Sequence, residues 1–102
     1  MFQNIDAQQF KNKTEHAENT LILDVRTPQE YHEGHIPGAV NINIQDPAFM
    51  DKLDELKDDK TYLVYCRSGV RSAKACQMMG SQGFNDLYNL EGGILEWTGR
   101  VE

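Results

Sequence analysis

Two cysteines, three prolines and one tryptophan stand in a chain of 102 residues, and each scarcity removes a class of protein. Two cysteines are too few for a disulfide scaffold, so the fold must rest on an apolar core, and the thiols read as those of a reduced, cytoplasmic protein. No apolar run approaches the ~18–20 residues that span a bilayer. Residues Met1 to Phe10 carry no basic segment followed by an apolar stretch, so no secretory signal is read there. Positive charge is also short: 10 Lys and Arg against 16 Asp and Glu leave a net charge of −6. Nucleic-acid grooves need the opposite surplus, and neither nucleic acid nor membrane is expected as a partner. A small anion held by one loop is still compatible with that balance. There is no internal repeat, low-complexity tract or linker. The length suits one domain over residues 1–102, burying roughly 60–70% of the unfolded surface.

Apolar runs of strand length alternate with helix signals. Phe2 to Ile5 reads as extended, and Asp6 as the N-cap of a helix from Ala7 to about Thr14 with Phe10 facing inward. Leu21 to Val25 is a continuous apolar run of the kind that suits a parallel strand covered on both faces. Thr27-Pro28 opens a short helix ending near Gly34, because proline is at home in the first helical turn. His35 to Gly38 must turn, Ala39 to Ile44 reads as a third strand, and Asp46-Pro47 starts a helix with Phe49, Leu53 and Leu56 on one face. Thr61 to Tyr65 is the clearest strand. Beyond it a helix runs to about Gln82, capped by Gly83, with Val70, Ala73, Cys76 and Met79 as its apolar stripe. Phe84 to Leu90 is the last strand, Gly92-Gly93 a turn and Ile94 to Trp97 a closing helix. This alternation predicts an α/β fold with a parallel sheet between helices on both faces, and ligands of such sheets sit beyond the carboxyl ends of the strands.

Cys66-Arg67-Ser68-Gly69-Val70-Arg71-Ser72 lies at such an end. Successive N–H groups of a short loop can converge as an anion-binding nest, and the helix that follows adds partial positive charge. Cys66 would sit at the base of the nest with Arg67 and Arg71 nearby. Gly69 supplies a positive φ, and Ser68 and Ser72 can donate hydroxyl hydrogen bonds. Each of these favours a thiolate, so Cys66 should titrate below the usual thiol value of about 8.5 and act as a nucleophile. A sulfur sealed from solvent and titrating as an ordinary thiol would contradict this reading.

Three ordered blocks resemble the single-domain rhodaneses. Leu23-Asp24-Val25-Arg26, Glu30-Tyr31 and Gly34-His35-Ile36-Pro37-Gly38-Ala39 with Asn41-Ile42 are similar to that family's first signature. The Cys66 to Ser72 segment resembles its active-site loop, and Leu90-Glu91-Gly92-Gly93 with Trp97 its closing signature. The resemblance implies a three-layer domain with a central five-stranded parallel sheet. It also implies sulfurtransfer from thiosulfate or a small persulfide to cyanide, a thiol or a protein cysteine, through a persulfide on Cys66. Arg67, Ser68, Gly69, Val70, Arg71 and Ser72 would hold the substrate, and no metal or organic cofactor enters. A second reading keeps Cys66 but makes the domain a carrier that hands its sulfur to a dedicated protein. Fold relatives that cleave phosphate esters or reduce arsenate resemble C-x5-R; Cys66 to Arg71 is C-x4-R, a smaller ring that suits one sulfur atom.

Other residues take quieter roles. Cys76 lies about 9 Å along the helix from Val70, beyond the ~7 Å between bridged Cα atoms, and belongs to the core. His32 and His35 have no accompanying ligand cluster and are not read as a metal pair; the resemblance makes His35 and Glu30 supports of the turn. Asp24 and Arg26 end the second strand beside the loop, where a buried carboxylate paired with an arginine or with backbone would fix loop geometry. Tyr31 and Trp97 read as core or rim, and Asp51 to Asp59 as a solvated face.

Overall fold

The computed structural model describes residues 2–15 and 18–102. Its elements are β1 (Phe2–Ile5), α1 (Ala7–Glu15), β2 (Thr20–Asp24), α2 (Pro28–His32), β3 (Val40–Asn41), α3 (Phe49–Leu53), β4 (Thr61–Tyr65), α4 (Val70–Ser81) and β5 (Asp86–Leu90), closed by a 3₁₀ turn over Gly93–Glu96. The strands form one sheet in the order β1-β5-β4-β2-β3, with every neighbouring pair parallel. Period-two alternation sorts the side chains of β4 between two cores. Tyr62, Val64 and Cys66 pack with Phe49 and Leu53 of α3 and Ala75, Cys76 and Met79 of α4. Leu63 and Tyr65 face Phe10 of α1, with Tyr31, Ile94 and Trp97 around them. Helices therefore cover both faces, and the fold is the three-layer α/β arrangement expected. Each fully buried large apolar side chain contributes roughly 1.5–3 kcal/mol, so the central strand anchors both layers.

The caps expected at Asp6, Thr27 and Gly83 form. Asp6 accepts the Gln9 N–H at 2.8 Å, and Thr27 and Glu30 form a reciprocal capping box before Pro28. Helix α4 ends in a Schellman motif: Phe84 N–H reaches Met79 O at 3.1 Å and Gly83 N–H reaches Gly80 O at 3.2 Å. Gly83 takes φ +99° there, as that motif requires.

Several boundaries move. β3 is two residues long rather than Ala39 to Ile44. Past Asn41 the chain leaves regular pairing, with Ile42 N–H on Asp24 O and Ile44 N–H on Val25 O. The Asn41 side-chain amide meanwhile caps the carbonyls of Asp24 and Arg26. α3 starts at Phe49, not at Asp46-Pro47, because Asp46 folds its own turn: its carboxylate accepts the Ala48 N–H and its carbonyl the Phe49 N–H. β5 starts at Asp86, since Phe84 is spent on closing α4 and on an edge-to-face contact with Tyr62. On α4 the buried stripe is Ser72, Ala75, Cys76 and Met79. Val70, expected inside, is 74% exposed, because it opens the helix beyond the carboxyl end of the central strand β4.

Candidate active site

The carboxyl ends of β2, β4 and β5 converge, and the chain between β4 and α4 closes around the first residue after β4. The Cys66 Sγ receives the Gly69 N–H at 3.1 Å, the Ser72 N–H at 3.4 Å and the Ser72 hydroxyl at 3.3 Å. Gly69 caps α4 at φ +100°, which turns its N–H inward as the expected nest demands. The loop is strapped from behind: Ile94 N–H reaches Cys66 O at 2.9 Å and Leu95 N–H reaches Arg67 O at 3.2 Å. Gly93 permits that approach. A Cβ there would lie 2.2 Å from Arg67 O and 2.6 Å from Ser68 N.

Burial pushes the Cys66 thiol up, but the hydrogen bonds from the Ser72 hydroxyl and from the Ser72, Gly69 and Ser68 amides outweigh it, and the group titrates below its ordinary value. The residue has 0% exposed surface. Of the two conditions that together would contradict a nucleophilic Cys66, the sealing is met and the ordinary titration is not. Arg67, Ser68 and Val70 form the exposed outer edge of the loop that covers Cys66.

The arginines are distributed unevenly. Arg71 makes a two-pronged ion pair with Glu30, at 2.7 and 2.9 Å, so α2 and α4 are tied together beside the loop. Those bonds hold the Glu30 carboxyl low against the opposing effect of burial, with help from the Thr27 N–H, at about 2. The charge of Cys66 still reaches Arg71. Arg67 is exposed, and its guanidinium makes no hydrogen bond or ion pair among the described residues. It lines a cleft of about 290 Å³ with Arg26, Glu30, Glu33, Gly34, Ile94, Leu95 and Val101.

Asp24 is fully buried and satisfied by a fixed set of donors: the Arg26 N–H at 2.9 Å, the Arg26 guanidinium at 2.7 Å and the Tyr65 hydroxyl at 2.7 Å. Arg26 continues to Gly34 O at 2.7 Å, and the Tyr65 oxygen accepts the Ile36 N–H at 3.1 Å. This knot pins the Gly34 to Ile36 turn onto β2 and β4, and the arginine in it is Arg26. Burial and the Asp24 charge push the Tyr65 phenol up, so it acts as a neutral donor. His35 stacks on Tyr31 with ring centroids 3.8 Å apart and exchanges two backbone hydrogen bonds with Glu102. Both cysteines are free. Burial, then the charge of Cys66, pushes the Cys76 thiol up to about 12, so it is inert.

Sequence reasoning passed over Asn89 and Tyr65. Asn89 Oδ1 meets the Ser72 hydroxyl in a short hydrogen bond. The signal was available: within Asp86–Leu90 the amide falls on the face of Leu87, which turns to α4.

The chain belongs to the rhodanese-like domain family, whose model matches residues 6–100. It is similar to the thiosulfate sulfurtransferase GlpE of Shewanella oneidensis, 35% identical over 97 residues that cover 94% of this chain and 92% of that protein. A tRNA uridine(34) hydroxylase of Onion yellows phytoplasma is 41% identical over 83 residues, covering 78% of this chain but 27% of that longer one. Among solved structures, a rhodanese-like domain protein of Staphylococcus aureus superposes with a TM-score of 0.85 at 33% identity, over 98% of this chain and 96% of that one.

Proposed function

We propose that the protein is a cytoplasmic sulfurtransferase that carries sulfane sulfur on Cys66, from thiosulfate or a small persulfide to a thiophilic acceptor. The observation that supports this most is the set of donors aimed at Cys66 Sγ, which stabilises a thiolate where an anionic donor would arrive. Arg67, the uncommitted cation at the cleft, holds the sulfonate end of thiosulfate by charge-assisted hydrogen bonds. The Cys66 thiolate attacks the outer sulfur, the S–S bond breaks, and sulfite leaves with the bonding pair. The negative charge passes to the terminal sulfur of the persulfide, which the amides of the loop can hold. Cyanide or a thiolate then attacks that sulfur, and Cys66 regains its pair as a thiolate. Charge and electrons balance in both halves, and the steps form a double displacement.

Intact mass after thiosulfate treatment tests the proposal. A gain of one sulfur, about 32 Da, that disappears on adding cyanide is the expected result of the covalent step. Absence of the gain in the wild type, or its presence in Cys66→Ser, would overturn it. The carrier reading is favoured by one observation: Val70 and Leu95, 74% and 59% exposed, flank the buried sulfur with apolar surface suited to a protein acceptor. Slow thiocyanate formation together with fast transfer to a protein cysteine would select that reading.

A further inference from the structure

The Ser72 hydroxyl lies between two acceptors and has one proton. On one side is Cys66 Sγ at 3.3 Å, on the other Asn89 Oδ1. It can donate to only one of them at a time. The orientation of Asn89 is fixed by its other end, where Nδ2 donates to Asn4 Oδ1 at 2.9 Å and to Gly69 O at 3.2 Å. Both N–H bonds of the amide are thus engaged, and its oxygen must face Ser72. The two asparagines are register partners across β1 and β5, so the sheet itself sets the spacing. Ser72 and Asn89 are buried, and every buried side-chain polar atom among the described residues has a partner.

We propose that Asn89, seated by Asn4, is a positioning residue that competes with Cys66 for the Ser72 hydroxyl proton and so sets the balance between the charged and uncharged states of that sulfur. When Cys66 is a thiolate, the hydroxyl turns to sulfur and the Asn89 oxygen loses its donor. When the sulfur is a thiol, its S–H donates to the Ser72 oxygen and the hydroxyl donates to Asn89. The same arrangement serves a persulfide, a step that rests on the proposed sulfur transfer. There Sγ is neutral, the charge sits on the outer sulfur among the amides, and the hydroxyl returns to Asn89. The switch thus favours the loaded state over the bare thiolate. The charge of the sulfur is felt by two titratable groups of α4, Arg71 and Cys76, and neither is altered below.

The test is titration of the Cys66 thiolate by its ultraviolet absorbance, which needs no donor and so stands apart from the transfer chemistry. Asn89→Leu removes the competing acceptor. It should raise the thiolate-to-thiol ratio about three- to tenfold, moving the midpoint down by about half to one pH unit. In a Ser72→Ala background the same substitution should move nothing, because the hydroxyl that couples the two sites is gone. In Ser72→Thr, which keeps the hydroxyl, the effect should return. An unchanged or raised midpoint, or an equal shift without the hydroxyl, would overturn the proposal. If Asn89→Leu does not fold, the wild type decides by nuclear magnetic resonance: the Asn89 side-chain amide should titrate with Cys66 while that of Asn41 stays silent, and a silent Asn89 refutes the switch.

Discussion

Replacing Glu30 with glutamine isolates the charge in the pair that joins α2 to α4. The carboxylate meets Arg71 through two bonds with both side chains about one-quarter exposed, at 27% and 25%. Its titration falls from 4.5 unfolded to about 2 folded. Taken at face value that difference corresponds to about 3 kcal/mol; screening at a partly open site brings the expected loss to about 1–2 kcal/mol. For a domain of this size the melting temperature should fall by about 5–15 °C. The sign of the pH dependence follows from the depressed folded value: the contribution is complete above 4.5 and drains away as pH falls toward 2. Urea unfolding of wild type and Glu30→Gln from pH 7 downward should show a gap that is constant to about pH 5 and more than half closed by about pH 3. A gap that persists undiminished through acid would mean that shape, not charge, holds α2 to α4. No gap at pH 7 would mean that the pair contributes nothing.

Gly93→Ala places a methyl group against the Arg67 carbonyl, displacing the loop that aims the amides. Thiocyanate formation should drop about 100-fold, the scale of a misplacement of about 1 Å, and an unaffected rate would show that the strap behind the loop is not needed. Arg67→Ala should raise KM for thiosulfate about tenfold, the value of one charge-assisted hydrogen bond, while leaving a neutral donor unchanged. Arg71→Ala, whose guanidinium is engaged by Glu30, should act first on stability, and calorimetry beside the kinetics separates the two. Tyr65→Phe leaves the Ile36 N–H without its partner and Asp24 with one donor fewer. Urea unfolding should report a loss of about 2–4 kcal/mol, and a loss below about 0.5 kcal/mol, the lower end for one hydrogen bond, would contradict the knot.

The order of elements and the parallel sheet were legible because β2 and β4 are continuous apolar runs with turn signals on both sides. Caps were legible at Asp6, Thr27-Pro28 and Gly83 because they are local and need only their nearest neighbours; the reciprocal bond from Glu30 to Thr27 came from the structure. Boundaries failed where side chains competed for backbone partners, as Asp46 does at its turn and Asn41 beside β3. Val70 was misplaced because a helical stripe says nothing about where the sheet ends. The loop could be read as a nest from Gly69 and its serines. What could not be read is which charge pairs with which. Arg67 and Arg71 look alike in sequence, yet Glu30, 41 positions away, engages one of them. The same holds for Asn89, brought to Ser72 by strand register across 17 positions.

Everything in the mechanism depends on Cys66 being ionised inside its ring of donors. Ultraviolet titration of the chain measures this directly, since Cys76 is held near 12 and stays out of the range. The account predicts a thiolate midpoint below the ordinary thiol value of about 8.5, rising when Ser72→Ala removes one donor. A midpoint at or above that value, indifferent to Ser72, would contradict it.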